Sequence, residues 1–516
     1  MAISNSIKDF KPETNWELVK KADLLTPKLI ENEVFPTRRV KIISDGNEKI
    51  IDILELEKTP LKKSDIIYVD FGEHLVGYFS FLINTADVPA DAPAYLRIKF
   101  AEQPKEFMEN CSEYNGQLSS SWLQEERIHI DEIPSRVDMP RRYAFRYVEI
   151  EVLDTSFSYS ICIHNMLTKS MTSARMSDVE EYPHTDKELK EIEHFSLITM
   201  RECMQEVVED GPKRDRRLWI GDLRLAAMIN NYTFKNNDLI KRCIYLFAGL
   251  LVNRGQVGAC LYVKPEYKAG DVLLFDYSLF FVSCLYDYYQ ATKDKKILKE
   301  LWDIACRQID LSSERLDENN LVKDSDDWWS FIDWNDDLNK QAGSQAVFIY
   351  VVKQAIFIAN EIGDNERKNQ FNTLLEKLIK ASFKYLWDDE KGFFISGEKK
   401  QISWASQVWF VLAEILNEED AKALMQRLQR ERPPIKMVTP YMYHHFVEAL
   451  FLCGMKDDAL ECIKKYWGEM VKDGASSFYE IYDPENKEFS PYGSSAINSY
   501  CHAWSATPAY LIRKYL

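Results

Sequence analysis

The chain has 516 residues, 46% hydrophobic and 13% aromatic, enough to bury more than one core. A net charge of −17 sets aside nucleic acid and anionic membrane surfaces, which need clustered Lys and Arg, and favours a neutral or cationic ligand. Residues Met1 to Phe10 hold no apolar run, no stretch approaches eighteen apolar residues, and the ten cysteines include no CxxC pair. A cytoplasmic protein with reduced thiols, and with neither a metal site nor a disulfide framework, is expected.

The first third is strand-like. Alternating runs recur at 66–71, 76–83, 95–100, 143–152 and 159–164, separated by turn clusters such as Asp87-Val-Pro-Ala-Asp-Ala-Pro. They predict an antiparallel β-sandwich over residues 1–175. Arg97 and Glu102 there are candidate functional residues, against the plainer reading that most charged residues on a sandwich face solvent.

From about residue 176 to 516 the period changes to that of helices. Twelve segments follow, at 187–209, 221–234, 239–253, 273–292, 295–315, 340–362, 365–386, 403–416, 418–430, 440–453, 456–471 and 498–515. Twelve helices in sequential pairs predict six hairpins closed into an (α/α)6 barrel. The connecting loops are rich in Trp and Asp, as in Asp326-Asp-Trp-Trp-Ser-Phe-Ile-Asp-Trp-Asn-Asp-Asp337, Ser477-Phe-Tyr-Glu-Ile-Tyr-Asp483 and Ser499-Tyr-Cys-His-Ala-Trp504. Gathered at one mouth of a barrel, they would line a pocket with carboxylates and aromatic faces. Glycoside hydrolysis needs both, one carboxylic acid to protonate the leaving oxygen and a second carboxylate to activate water or attack.

The densest such loop is Asp210-Gly-Pro-Lys-Arg-Asp-Arg-Arg-Leu-Trp-Ile-Gly-Asp222. Gly211 and Pro212 end the preceding helix, so the charged run is a loop. A solvated turn is the plainer reading. Against it, Leu218 and Trp219 lie within the run, and an apolar helix follows directly. Carboxylates held this close push their pKa values apart, which suits acid–base work.

This loop resembles the signature of glycoside hydrolase family 78, the α-L-rhamnosidases. The likeness continues in order through Asp70-Phe-Gly-Glu-His-Leu-Val-Gly-Tyr78, Arg142-Tyr-Ala-Phe-Arg-Tyr-Val-Glu149, Ser476-Ser-Phe-Tyr-Glu-Ile-Tyr-Asp-Pro-Glu485 and Asn498-Ser-Tyr-Cys-His-Ala-Trp-Ser-Ala-Thr-Pro-Ala-Tyr510. The resemblance implies hydrolysis with inversion at the anomeric carbon, Asp215 as general acid and Glu480 as general base. It implies sugar contacts from Asp210, Asp222, Trp219, Asp333, Trp334 and His502, with Arg214 beside Asp210 and Asp222. Trp404 and Tyr441 are further candidates for the pocket edge, with His445. The adjacent His444 and His445 do not have the spacing of a metal pair. No cofactor is implied.

Two departures stand out. The acid position is commonly Glu in the family and here is Asp215, one methylene shorter. Larger members carry additional β-domains, so a minimal member acting on small rhamnosides is expected, and a homodimer stays open. The rival readings are a hydrolase of another sugar on the same barrel and a sugar-binding protein without activity.

Overall fold

The structure, a computed structural model, describes residues 10–108, 112–183, 185–323 and 328–516. Asp326 and Asp327 lie outside the described residues. A short strand β1 (Pro12–Thr14) and helix α1 (Trp16–Asp23) open the chain. Then follow β2 (Ile30–Val34), β3 (Arg39–Ser44), β4 (Asn47–Asp52), α2 (Ile53–Leu56), β5 (Ile66–Thr85), β6 (Ala94–Ala101), β7 (Glu125–Ile130), β8 (Ser135–Asp138), β9 (Tyr143–Asp154) and β10 (Ile161–Thr172).

Strands β2 to β10 form one antiparallel hydrogen-bonded network with the path β2-β10-β5-β9-β6-β7, joined by β3, β4 and β8. The runs at 66–71 and 76–83 are parts of a single strand, β5. Its register against β9 slips between Asp70 and Leu75. That irregularity bends the strand, so its two halves serve different neighbours: β3 pairs with Ile66–Val69 and β8 with Ser80–Ile83. Inward residues of alternating strands, among them Val69, Phe71, Phe79, Phe100, Phe145 and Ile150, make a separate aromatic-rich core. The N-terminal segment departs from the expected division. β1 pairs with a strand at Leu250–Val252, and Leu18, Val19 and Ala22 of α1 pack into the helical core.

Twelve helices follow among the described residues: α3 (Lys187–Cys203), α4 (Ile220–Tyr232), α5 (Asn237–Gly249), α6 (Phe275–Thr292), α7 (Lys295–Ser313), α8 (Gln341–Ile362), α9 (Asn365–Ala381), α10 (Trp404–Leu412), α11 (Glu418–Glu431), α12 (Pro440–Leu452), α13 (Lys456–Lys472) and α14 (Pro508–Tyr515). α4, α6, α8, α10, α12 and α14 pack in that order and α14 returns to α4, closing an inner ring; the other six lie outside it. The sequence explains the division. Every residue of α10 from Ala405 to Leu412 is buried, whereas α11 buries only Leu424, Met425 and Leu428 and turns its charges outward. α8 is long and apolar enough to cross a membrane, but as an inner helix it is mostly buried within the protein. Side chains that prefer helix starts cap several outer helices, among them Asp186, Asn236, Asp294, Asp364 and Asn417.

Two predicted helices lose six residues or more of their sequence patterns. α3 stops at Cys203 because Met204 and Val208 form a bridge that starts the charged loop. α14 begins only at Pro508, and residues 498–507 are loop and short 3-10 turns. The first stretch leads into the charged loop, and the second lines the cavity described next.

Candidate active site

The loop from Asp210 to Arg217 is closed at its base by two bonds. The Asp210 N–H donates to the Arg217 carbonyl and the Arg217 N–H to Asp210 Oδ1, each at 3.0 Å. Within it Asp215 and Arg216 take φ of +62° and +53°, a left-handed conformation that costs a non-glycine residue roughly 1–3 kcal/mol. The turn is held by Arg216, whose guanidinium donates to the carbonyls of Pro212 (2.8 Å), Arg142 (2.9 Å) and Lys213 (3.3 Å). At the turn's entry a Cβ on Gly211 would lie 2.7 Å from Ser499 Oγ, so a larger residue there would displace that hydroxyl.

A second wall comes from residues 478–504. Glu480 N–H donates to the Ser499 carbonyl and His502 N–H to that of Phe478, both at 2.9 Å, so the two segments run side by side. Ala503 N–H donates to the Asp210 carbonyl at 2.8 Å, tying this wall to the charged loop. A third wall is the segment after α7. Asp276, in the first turn of α6, accepts the Phe331 and Ile332 N–H groups at 2.9 Å and so presents Phe331 and its neighbours.

These walls form a cavity lined by Asp210, Arg214, Asp215, Trp219, Asp222, Val272, Leu274, Tyr277, Trp329, Phe331, Trp334, Glu480, Tyr492, His502 and Trp504. Eight side chains singled out from the sequence meet here: Asp210, Arg214, Asp215, Trp219, Asp222, Trp334, Glu480 and His502.

Four others do not. Asp333 is buried behind the wall. Its carboxylate accepts from the Val438 N–H (2.8 Å), the Thr439 N–H (3.1 Å) and the Thr439 hydroxyl (2.7 Å), so it fastens the Trp334 loop to the start of α12. Trp404 packs edge-on to Phe446 and donates its indole N–H to the Pro433 carbonyl at 3.1 Å. Tyr441 is fully buried beneath the cavity against Phe331 and Trp504, and His445 is buried on Arg224 and the Tyr441 carbonyl. Arg214 lines the cavity together with Asp210 and Asp222. It pairs with Glu480, donates Nε to the Ile497 carbonyl at 2.8 Å and stacks 4.4 Å over the Tyr492 ring.

The electrostatics separate the carboxyls. Burial pushes Glu480 up, but Arg214, His502 and the hydrogen bond from Tyr492 outweigh it and hold Glu480 below the usual carboxylate value. Tyr492 donates to Glu480 Oε1 at 2.6 Å, and the Ser499 N–H approaches Oε2 at 3.4 Å. Asp210 and Asp222 lie well above the usual range. Burial is the largest cause in both, followed by Asp215 and Asp222 for Asp210, and by Glu480 for Asp222. Asp215 is the least enclosed of the four, and the nearest cation to it among the described residues is Arg217, 3.8 Å away. Burial lowers His502 to about 4, so its imidazole is neutral above that pH.

Several buried polar atoms facing the cavity have no hydrogen-bond partner among the described residues: Asp222 Oδ1, His502 Nδ1 and the indole nitrogens of Trp219 and Trp334. His502 Nδ1 and Asp222 Oδ1 are 3.3 Å apart but not aligned as a hydrogen bond. Leaving such atoms unpaired is costly, and a polyhydroxylated ligand would satisfy both donors and acceptors. No group of three or more His, Cys, Asp or Glu side chains among the described residues is arranged to hold a metal ion.

Apart from Glu102, sequence reasoning missed a second tier behind the loop. Glu102, just after β6, is buried. It accepts from His74 Nε2 (2.9 Å) and the Tyr500 N–H (2.6 Å) and lies 3.4 Å from Lys213 Nζ. Lys213 also reaches Glu106 at 2.8 Å and the Ala496 carbonyl at 3.3 Å. The sheet thus grips both the charged loop and the Glu480 wall. Arg97 is nearer the plainer reading, half-buried on Glu151 and Glu149. Tyr492 was also missed, since its Ser-Pro-Tyr-Gly setting reads as an ordinary turn.

Comparison with known proteins agrees with this architecture. Residues 38–170 match the glycosyl hydrolase family 78 alpha-rhamnosidase N-terminal domain, and residues 183–516 match the bacterial alpha-L-rhamnosidase 6 hairpin glycosidase domain. The chain belongs to this family. Among solved structures, this family 78 chain is similar to a rhamnosidase from Klebsiella oxytoca with rhamnose bound, at 42% identity over 98% of this chain and 99% of that one, with a TM-score of 0.93. The family 78 rhamnosidase of Bacillus sp. GL1 shares the fold at 21% identity and a TM-score of 0.74, over 87% of this chain and 46% of that longer one. The α-L-rhamnosidase from Streptomyces avermitilis, complexed with L-rhamnose, shares it at 15% identity and a TM-score of 0.67, over 94% and 44%. None of the curated protein sequences compared matches this chain. By family this protein is a glycosidase of the α-L-rhamnosidase type with a carbohydrate substrate.

Proposed function

We propose that this chain hydrolyses terminal α-L-rhamnosides of small glycosides or oligosaccharides with inversion. The single observation that carries this reading is Glu480, a buried carboxylate held ionised by Arg214 and Tyr492 on a cavity that Asp215 also lines. Glu480 takes a proton from water as the water oxygen bonds to the anomeric carbon. Asp215 gives its proton to the glycosidic oxygen as the bond to that carbon breaks. Asp210, Asp222, His502, Trp219 and Trp334 supply polar atoms for the sugar hydroxyls, and the aromatic faces cover its C–H surfaces. No nucleic acid or membrane partner enters this reading, in keeping with the net charge of −17. The nine described cysteines are free thiols, which fits a reducing cytoplasm.

Proton NMR of the first turnovers on an aryl α-L-rhamnoside tests it. β-L-Rhamnose as the initial product is the expected result, and α-L-rhamnose first would overturn inversion. A panel of other aryl glycosides tests the sugar, and a clear preference for another glycone would replace rhamnose.

A further inference from the structure

Two thiols meet where α3 ends and the Glu480 wall passes. Cys203 is the last residue of α3, Cys501 lies between Tyr500 and His502, and both are fully buried. Cys501 Sγ lies 3.9 Å from the Thr199 carbonyl. In a helix that carbonyl accepts the N–H of residue 203, so the Cys501 thiol rests on the turn that carries Cys203. The two thiols hydrogen-bond to each other. Cys203 also donates to the Asp210 carbonyl at 3.8 Å, the same carbonyl that the wall reaches through the Ala503 N–H. A third group completes the cluster. His74, on β5, binds Glu102 through Nε2 at 2.9 Å, and its buried Nδ1 is left without a well-aligned partner among the described residues, beside the Cys501 thiol. Thiol, imidazole and carboxylate in succession are the groups that activate a cysteine. Burial pushes the Cys501 thiol up, but the Cys203 hydrogen bond and His74 outweigh it and hold the thiol below its ordinary value. In the other eight described cysteines burial wins and the thiol lies above it. The hydrolysis proposed above uses neither thiol.

We infer that Cys203 and Cys501 are an oxidation site, joined by hydrogen peroxide into a reversible disulfide that switches the hydrolase off. The bond itself is independent of the rhamnosidase reading, and the loss of activity rests on it. Cys501 sulfur attacks one peroxide oxygen as the O–O bond breaks. The other oxygen leaves as hydroxide and takes the proton shed by the thiol, giving water and a sulfenic acid on Cys501. Cys203 sulfur then attacks that sulfur, the S–O bond breaks, and the hydroxide leaves as water with the Cys203 proton. The two thiols together lose two electrons and two protons, and one peroxide becomes two waters. A pair this buried suits a small neutral oxidant and shuts out a bulky disulfide. The covalent bond draws the sulfurs closer than a hydrogen bond does and removes the Cys203 donor from the Asp210 carbonyl. Residue 501 moves with it, and His502, its neighbour in the chain, lines the cavity. A misplacement of about 1 Å can cost on the order of 10² in rate.

The test treats the reduced whole chain with hydrogen peroxide and reads it by peptide mass mapping and by activity on an aryl α-L-rhamnoside. A peptide holding Cys203 joined to one holding Cys501 is expected, with a fall in kcat/KM of at least about tenfold that dithiothreitol reverses. In Cys203→Ser, dimedone should trap a sulfenic acid on Cys501. Cys501→Ser should resist peroxide when compared with its own untreated activity. Absence of the joined peptide overturns the site, whether or not either variant folds. A joined peptide with unchanged activity, or inactivation as large in Cys501→Ser as in the wild type, overturns the switch. Failure of the untreated protein to release rhamnose overturns the rhamnosidase reading instead, and the joined peptide still decides the bond.

Discussion

Glu480 and Asp215 line one cavity on very different supports. Glu480 is buried, accepts from Arg214, Tyr492 and the Ser499 N–H, and sits on a segment paired with its neighbour along its length. Asp215 stands on a left-handed turn, about a fifth of its side chain exposed, with no cation among the described residues nearer than Arg217 at 3.8 Å. A base must be ionised before the reaction, so its pairing can be permanent. A proton donor must reach a leaving group that varies, so a permanent partner would hinder it.

Five measurements would break or sharpen that contrast. Glu480→Gln should lower kcat on the order of 10²–10⁴-fold with the fold intact by circular dichroism. Near-normal turnover would remove the base from this end of the cavity. Arg214→Met should come next. Glu480 is held below its ordinary value in the folded protein, so activity is lost as pH falls through that lowered pKa. Without Arg214 the loss should begin at least about 1 pH unit higher. Stripping the cation from a buried pair should also cost about 3–5 kcal/mol of stability in a denaturant titration. An acid limb that stays in place would mean that Arg214 does not set the charge of Glu480.

Asp215→Asn should split substrates by leaving group, with roughly 10²-fold loss on alkyl rhamnosides and less than about 10-fold on activated aryl ones. Equal losses would contradict proton donation from this residue. Tyr492→Phe removes one hydrogen bond to Glu480 and should cost about tenfold in kcat/KM. The smallest effect is on stability. Asp222 is raised by burial and by Glu480, so its favourable contribution is present below the unfolded pKa and is lost as pH rises. Asp222→Asn should then raise Tm by roughly 1–3 °C at neutral pH, a gain that vanishes near about pH 4 in calorimetry. A fall in Tm at neutral pH would show the carboxylate to be structurally required.

The sequence made the helices of the barrel legible because inner and outer helices both carry strong apolar periodicity. The edge strands β2, β4 and β7 were not, because Ile30-Glu-Asn-Glu-Val34 and its like expose polar side chains on both faces and do not alternate. Capping signals could not reveal that 204–209 and 498–507 leave the helical path, since their apolar residues pack into the core as loop. At the site, local motif order gave the residues of the charged loop. Asp333, Trp404 and Tyr441 were misplaced because loop membership does not fix which way a side chain faces. The ion-pair partner of Arg214 lies 266 residues away, which chain proximity could not show.

The grip of Glu102 and Glu106 on Lys213 and Tyr500 has a bearing on how such enzymes can be taken apart and recombined. A barrel grafted onto a foreign sheet would inherit every residue that lines the cavity and still lose the acceptors that seat its charged loop. An ammonium group would then be buried without its counter-charge. Swaps between relatives should therefore carry the rim of the sheet, from His74 to Glu106, as part of the barrel. In shuffled libraries, a crossover between Glu106 and Lys213 should be tolerated only when both parents supply the same pair.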